Sequence, residues 1–327
     1  MFEQRFAECF GVKYAYAVST GAAAIHCALA AASTCKGDEG ITTVFTFIAP
    51  VKSLHALGAK PVLVEIGETY HLDPKEVEKA IMARTKAVVS VPMWASLKMD
   101  ELQAICRKAD VMLIEDAAQC LGGSYKGKKL GTLGKIESFS YDMGKSITTG
   151  EGGIIITVDR DLYDCAADFS GHGHMHVPRL PRGKDPRRAP GFSNWMHEIT
   201  GLVGLAQMVK LEQILTRRKE NECKIKDEIK SVPGLVFRPF SEEGCADGDT
   251  LIIQLDDEDK ALQMAKLLEE SCIGSKILPK AFDWHYAGAW NPAIKDHIAY
   301  YMNYLKRHLP KTHQLLGRSI APPFYST

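Results

Sequence analysis

From residue 13 to about residue 170, short apolar β-branched runs alternate with stretches whose apolar residues recur at helical spacing. The runs at 14–18, 42–45, 61–65, 87–91, 111–115, 137–141 and 153–157 predict strands. The stretches at 22–32, 50–57, 74–83 and 100–108 predict helices between them. Such alternation points to a mostly parallel sheet with helices on both faces. Several of the runs are apolar at nearly every position, as strands are when both sheet faces are covered.

The pattern changes at 171–195, which is rich in Gly, Pro, His and Arg and predicts a long loop. Loops of that length inside a compact domain are often functional. A helical stretch is predicted over 197–231, with Leu202, Leu205, Val209 and Ile214 on its apolar face and Val232-Pro233-Gly234 as its stop. Strands near 235–237 and 250–255 and a helix near 258–271 predict a smaller α/β unit. The expected division is a large domain over 1–208 and a small C-terminal domain over 209–327.

Composition narrows the function classes. Forty basic residues balance forty acidic ones, so no global field draws the chain to nucleic acid or to an anionic membrane. No apolar run approaches the roughly 20 residues that span a bilayer, and no secretory pattern opens the sequence, so a cytoplasmic location is expected. Nine scattered cysteines without a C-x-x-C pair suit reduced thiols rather than a disulfide frame or a zinc site. The basic run at 179–188 reads as a solvated loop or as a clamp for an anionic substrate.

Four short segments carry candidate chemistry. Ser19-Thr20-Gly21-Ala22-Ala23-Ala24 joins a strand to a helix. Free amides at a helix N-terminus bind phosphate, and small residues let it approach the backbone. The same segment also suits a tight turn with no ligand. Glu115-Asp116-Ala117-Ala118-Gln119 follows an apolar strand, where doubly wound sheets bind ligands. An Asp there can hold a pyridine nitrogen protonated, with Gln119 bonding a ring hydroxyl; a helix N-cap and a magnesium-binding carboxylate are the other readings of Asp116. In Ser140-Tyr141-Asp142-Met143-Gly144-Lys145-Ser146, the Gly-Lys-Ser tail imitates a nucleotide P-loop, but Phe139 stands where that motif needs Gly. A lysine in a Gly/Thr-rich turn beyond a strand instead suits Schiff-base chemistry, which needs a partly desolvated amine; a surface lysine is the plainer alternative. Finally, Thr46-Phe47-Ile48-Ala49 offers an aromatic to stack on a flat ring or to fill the core.

In this order and spacing the segments resemble the DegT/StrS sugar aminotransferases, a branch of the fold-type I enzymes that use pyridoxal 5'-phosphate (PLP). The likeness runs from Phe6–Ala24 through Gly201–Gln207 into the small domain. It implies an α/β fold-type I transferase, with a mostly parallel mixed sheet in the large domain and a smaller C-terminal α/β domain. It also implies Lys145 as the Schiff-base lysine and proton carrier, Asp116 at the pyridine nitrogen, Gln119 at the phenolic oxygen and Phe47 on the ring. Thr20, Gly21, Ala22 and Ser140 would hold the phosphate. The implied reaction moves an amino group, from glutamate by family expectation, to a keto-sugar that is nucleotide-linked or of the keto-octulosonate kind. A homodimer with shared active sites is expected.

The chain departs from the family pattern in places. Thr20-Gly21-Ala22 replaces the usual Ser-Gly-Thr. In Gly191-Phe192-Ser193-Asn194-Trp195-Met196, Ser193 stands where relatives carry a cross-dimer phosphate-binding Asn, a role for which Ser193 and the adjacent Asn194 are the two candidates, and Trp195 replaces an Arg. His172 is a candidate substrate contact by its position in the family, and Trp284 and His285 are candidates because sugar faces stack on aromatics, a packed surface of the small domain being the other reading; no metal is expected at His172-Gly173-His174-Met175-His176. A non-catalytic regulator on the same fold and a sugar dehydratase are the alternatives. Dehydratases of this family often replace the lysine with His, which Lys145 argues against.

Overall fold

The computed structural model describes residues 1–94, 98–240, 244–273, 285–286 and 309–322. It opens with α1 (Phe2–Phe10), a helix that the sequence reading did not anticipate. Phe2, Phe6 and Phe10 recur every four residues and so share one face. Phe6 stacks on Phe10 with 4.5 Å between ring centroids. Gly11 ends the helix in the left-handed region, at φ 67°.

Strict alternation follows: β1 (Tyr14–Val18), α2 (Gly21–Ala31), β2 (Glu39–Thr43), α3 (Ala49–Ala56), β3 (Lys60–Val64), α4 (Pro74–Ala80), β4 (Thr85–Ser90), α5 (Met99–Ala109) and β5 (Met112–Asp116). A short ribbon, β6 (Ser124–Tyr125) and β7 (Lys128–Lys129), leads to β8 (Ile136–Ser140), β9 (Gly153–Thr157) and α6 (Arg160–Ser170). The seven-stranded sheet has the order β1-β9-β8-β5-β4-β2-β3. Neighbours from β8 to β3 pair in parallel, whereas β9 is antiparallel to both β1 and β8. Six strands therefore point the same way, and their C-terminal ends meet along one edge.

Alternate side chains leave the sheet on opposite faces. Val89, Ile114 and Ile155 join a core with Ile25 and Leu29 of α2 and Leu54 of α3. Their neighbours Val88, Leu113, Ile154 and Ile156 join the other core, with Phe6, Leu102 of α5 and Leu211. This two-faced burial is why the strands read as continuous apolar runs.

Two expectations need correction. The strand predicted over 42–45 lies at Glu39–Thr43. Its start was disguised by polar Glu39, which pairs with Lys60 and Arg84 at 3.4 and 3.3 Å. Phe45, buried, has already left the ladder, with its amide turned onto Thr43 Oγ1 at 3.0 Å. The single helix predicted over 197–231 is two, α7 (Glu198–Met208) and α8 (Leu211–Ile229). A tighter turn, Lys210 N–H to Gln207 C=O at 3.0 Å, separates them. It lets Met208 and Leu211 both reach the same core.

The C-terminal lobe contains β10 (Val236–Phe237), β11 (Gly244–Cys245), β12 (Ile253–Gln254), α9 (Glu258–Glu270), α10 (Pro310–Gly317) and β13 (Ser319–Ile320). The sheet β10-β12-β13 is antiparallel and covers its own small core of Leu251, Ile253, Leu255, Ala261, Ala265 and Ile320. Strand β11 pairs instead with β6 of the larger lobe.

Candidate active site

The four segments picked out by sequence all lie at the edge where the parallel strands end. At β1, Thr20 caps α2 by accepting the Ala23 amide at 3.0 Å. The Gly21 and Ala22 amides take no acceptor among the described residues. They open a helix N-terminus, the favoured seat for an anion. Gly21 faces Ser140 at the end of β8 so closely that a Cβ would come within 2.5 Å of the serine Cβ and 2.8 Å of its Oγ. Small residues on both sides leave backbone amides and a hydroxyl around one spot, as a phosphate requires.

Asp116 ends β5 and is buried. Its Oδ1 accepts the Ala118 amide at 3.3 Å and the Ser138 hydroxyl at 3.4 Å. Burial pushes its pKa up to about 6; the Ala118 amide, the charge of Lys145 and the Ser138 hydroxyl pull the other way. Such a carboxylate gains from a cationic partner, which a protonated ring nitrogen supplies.

Lys145 sits half-buried in the turn between β8 and β9. Buried Tyr141 organises that turn. Its carbonyl accepts the Thr149 amide at 3.0 Å and the Thr148 hydroxyl at 3.1 Å, and its own amide donates to Gly152 at 2.9 Å. Lys145 N–H closes the tip onto Asp142 C=O at 3.0 Å. Lys145 lines a small cavity with Ala118, Gln119, Ser140, Asp247 and Asp249.

Gln119 Nε2 lies 3.3 Å from His285 Nε2. His285 is buried, with its ring 6.2 Å from that of Phe47 and 6.3 Å from that of Trp94. Phe47 itself is 42% exposed, so it is not a core side chain. Trp94 was missed by sequence reasoning. It is fully buried with φ 61°, and its amide donates to Gln119 C=O at 3.1 Å. A left-handed non-glycine residue beside a functional group is a recurring signature of active sites. The Asp247/Asp249 pair was missed too, because a polar stretch in a small lobe carries no periodic signal.

Other expected residues lie apart from this cavity. Asn194 turns inward, its Nδ2 3.6 Å from Cys27 Sγ, and its carbonyl accepts the Ser19 amide at 2.8 Å. Ser193 is exposed. His172 is exposed too, with its amide on Phe192 C=O at 3.1 Å. Trp284 lies outside the described residues. Much of the basic run anchors its own loop: Arg188 pairs with Asp168 at 2.9 Å, and Arg182 lies over the Trp195 ring at 5.5 Å.

An open helix N-terminus with a facing serine, a buried aspartate, a glutamine, a half-exposed aromatic and a lysine make up a donor set that fits pyridoxal phosphate. The model of the DegT/DnrJ/EryC1/StrS aminotransferase family matches residues 1–327. The chain belongs to that family. It is 36% identical over 221 residues to the GDP-perosamine synthase of Escherichia coli O157:H7, covering 67% of this chain and 59% of that protein. It is 29% identical over 321 residues to the spore coat polysaccharide biosynthesis protein SpsC of Bacillus subtilis, covering 94% and 82%. Its fold resembles that of 3-amino-5-hydroxybenzoic acid synthase, with TM-score 0.83, 25% identity and coverage of 98% and 83%. The chain thus spans about three fifths of the length of the perosamine synthase that it matches.

Proposed function

We propose that this family member is a PLP-dependent aminotransferase that moves an amino group, from L-glutamate by family expectation, to a keto-sugar in polysaccharide biosynthesis. The observation that carries the reading is the convergence of Asp116, Lys145 and the Gly21/Ser140 cradle at the C-terminal edge of one sheet. In the proposed arrangement Gly21, Ala22, Thr20 and Ser140 bind the phosphate, Asp116 holds the ring nitrogen protonated, Gln119 bonds the phenolic oxygen and Phe47 covers a ring face. When bound, the cofactor supplies an electron sink for the carbon that loses its proton. Lys145 Nζ is the base that takes that proton and returns it. Its turn, closed by hydrogen bonds to Tyr141, keeps the amine at the cavity wall.

A nucleotide-linked keto-sugar is the favoured acceptor, supported by the likeness to GDP-perosamine synthase, with a keto-octulosonate as the other candidate. In the proposed arrangement His285, beside Gln119 and Phe47, and His172 meet the sugar, and Ser193 or Asn194 reaches the phosphate across the dimer. The reading includes a cytoplasmic homodimer with shared sites. Among the described residues no helix is long and apolar enough to cross a membrane.

The test is a screen of nucleotide-linked keto-sugars and keto-octulosonates with PLP and L-glutamate, read by mass spectrometry. One aminated sugar together with 2-oxoglutarate supports the reading. PLP binding without turnover of any pair would favour a regulator, and loss of a sugar hydroxyl without amination a dehydratase.

A further inference from the structure

Ser146, the residue after Lys145, is tied to the C-terminal lobe through one buried side chain. Arg218, in the middle of α8 and 8% exposed, donates from Nη1 to Ser146 Oγ at 2.6 Å. The same nitrogen lies 2.9 Å from Asp249 Oδ1. Asp249 belongs to the turn Asp247-Gly248-Asp249, and its amide donates to Asp247 Oδ1 at 3.0 Å. Gly248 has φ 75°, and a Cβ there would stand 2.8 Å from Arg218 C and Lys219 N. The turn therefore lies directly on the backbone of α8, with no room for a side chain. The Asp247 amide reaches back to Trp94 C=O at 3.4 Å. Both aspartates line the Lys145 cavity.

A buried guanidinium is tolerated when a carboxylate compensates it, and breaking such a pair leaves an uncompensated charge. Here that charge would lie one residue from the lysine. We propose that Arg218 and Asp249 are positioning residues for Lys145, a latch that locks the lysine turn to the C-terminal lobe and balances the charge around its amine. Other titratable groups that face that amine are Asp116 from β5 and buried Cys120, with Asp247 beside Asp249 on the cavity wall; Glu222 lies one turn beyond Arg218 on α8. The inference rests on the reading of Lys145 as the reactive amine.

The test uses the full chain without cofactor. Acetic anhydride labels amines as they deprotonate, and peptide mass spectrometry reads the pH midpoint for Lys145 alone. Arg218→Met removes a positive charge and is expected to raise the midpoint by roughly half to one pH unit, whereas Asp249→Asn removes a negative charge and lowers it by a similar amount. Arg218→Lys keeps the charge and restores a midpoint near wild type. A residue that merely supported the fold would not move the two midpoints in opposite directions. Unmoved midpoints, or both moving the same way, overturn the latch. Should Arg218→Met fail to fold, an unshifted Asp249→Asn is sufficient to overturn it. Failure of the cofactor reading shows separately, as wild-type protein that gains no visible absorbance with PLP.

Discussion

Glu115 and Asp116 are neighbours at the end of one strand, both buried, and they face opposite sides of the sheet. Burial pushes both pKa values up, Glu115 to about 7 and Asp116 to about 6. Glu115 leaves one face, where it takes the Leu133 amide at 3.0 Å and also meets the amides of Gly131 and Gly134. Glu137 on the next strand stands beside it, its own carboxyl held well above the usual range by burial and then by Glu115. Asp116 leaves the opposite face, with a long amide contact, a long hydroxyl contact and the field of Lys145. Similar desolvation thus produces a structural acid on one face and an acid poised for a cation on the other. Backbone amides hold the first, although its Oε1 stays buried without a hydrogen-bond partner; the second lies in the field of Lys145.

The sharpest break between the two faces is predicted at Asp116. Asp116→Asn should lower transamination by on the order of 10²- to 10³-fold, since the electron sink loses its charge partner, while the melting temperature of the cofactor-free protein holds or rises. Glu115→Gln should do the reverse, sparing the rate while changing stability. An equal loss of rate in both variants would erase the distinction.

Next in size is the pH dependence of stability. Unfolded Glu115 releases its proton above pH 4.5, whereas the folded chain keeps it to about pH 7. Across that window the unfolded state binds fewer protons, so stability falls as pH rises and levels off above pH 7. The full effect is about 3 kcal/mol for a shift of this size. Urea unfolding of the cofactor-free protein at pH 5 and pH 7 measures it, and Glu115→Gln should remove most of the Glu115 slope. Asp116 adds a slope of the same sign that PLP binding should reduce, because a ring cation favours the carboxylate.

Smaller effects belong to the phosphate cradle. Gly21→Ala puts a methyl 2.5 Å from Ser140 Cβ, and PLP affinity should drop about tenfold by fluorescence titration. Thr20→Ala should cost about 1 kcal/mol of stability through loss of the α2 cap, with a modest loss of cofactor affinity.

The sheet was legible because both its faces are buried, so runs such as Val88-Val89 and Ile154-Ile155-Ile156 have no polar interruption. Asp116 and the Gly21 turn stood out because each lies at the end of such a run, and Lys145 because it sits in the Gly/Thr-rich turn between two of them. Polar and irregular segments hid the rest. Glu39 concealed the start of β2 because its charge is answered by Lys60 and Arg84, remote in sequence. Trp94 gave no sign of its left-handed backbone, nor Asp247 and Asp249 of their place beside Lys145, because those depend on packing between the lobes. Asn194 is expected at a phosphate across a dimer interface; within the chain its side chain lies against Cys27, a contact that the sequence did not signal.

The central claim is that the amine of Lys145 is the one that PLP engages. Incubating the protein with PLP, reducing with borohydride and mapping the peptides tests it directly. The account predicts a visible absorbance band that reduction bleaches, with the pyridoxyl group on the peptide carrying Lys145 and no such label in Lys145→Ala. Wild-type protein that shows no band, or that carries the label on another lysine, would contradict it.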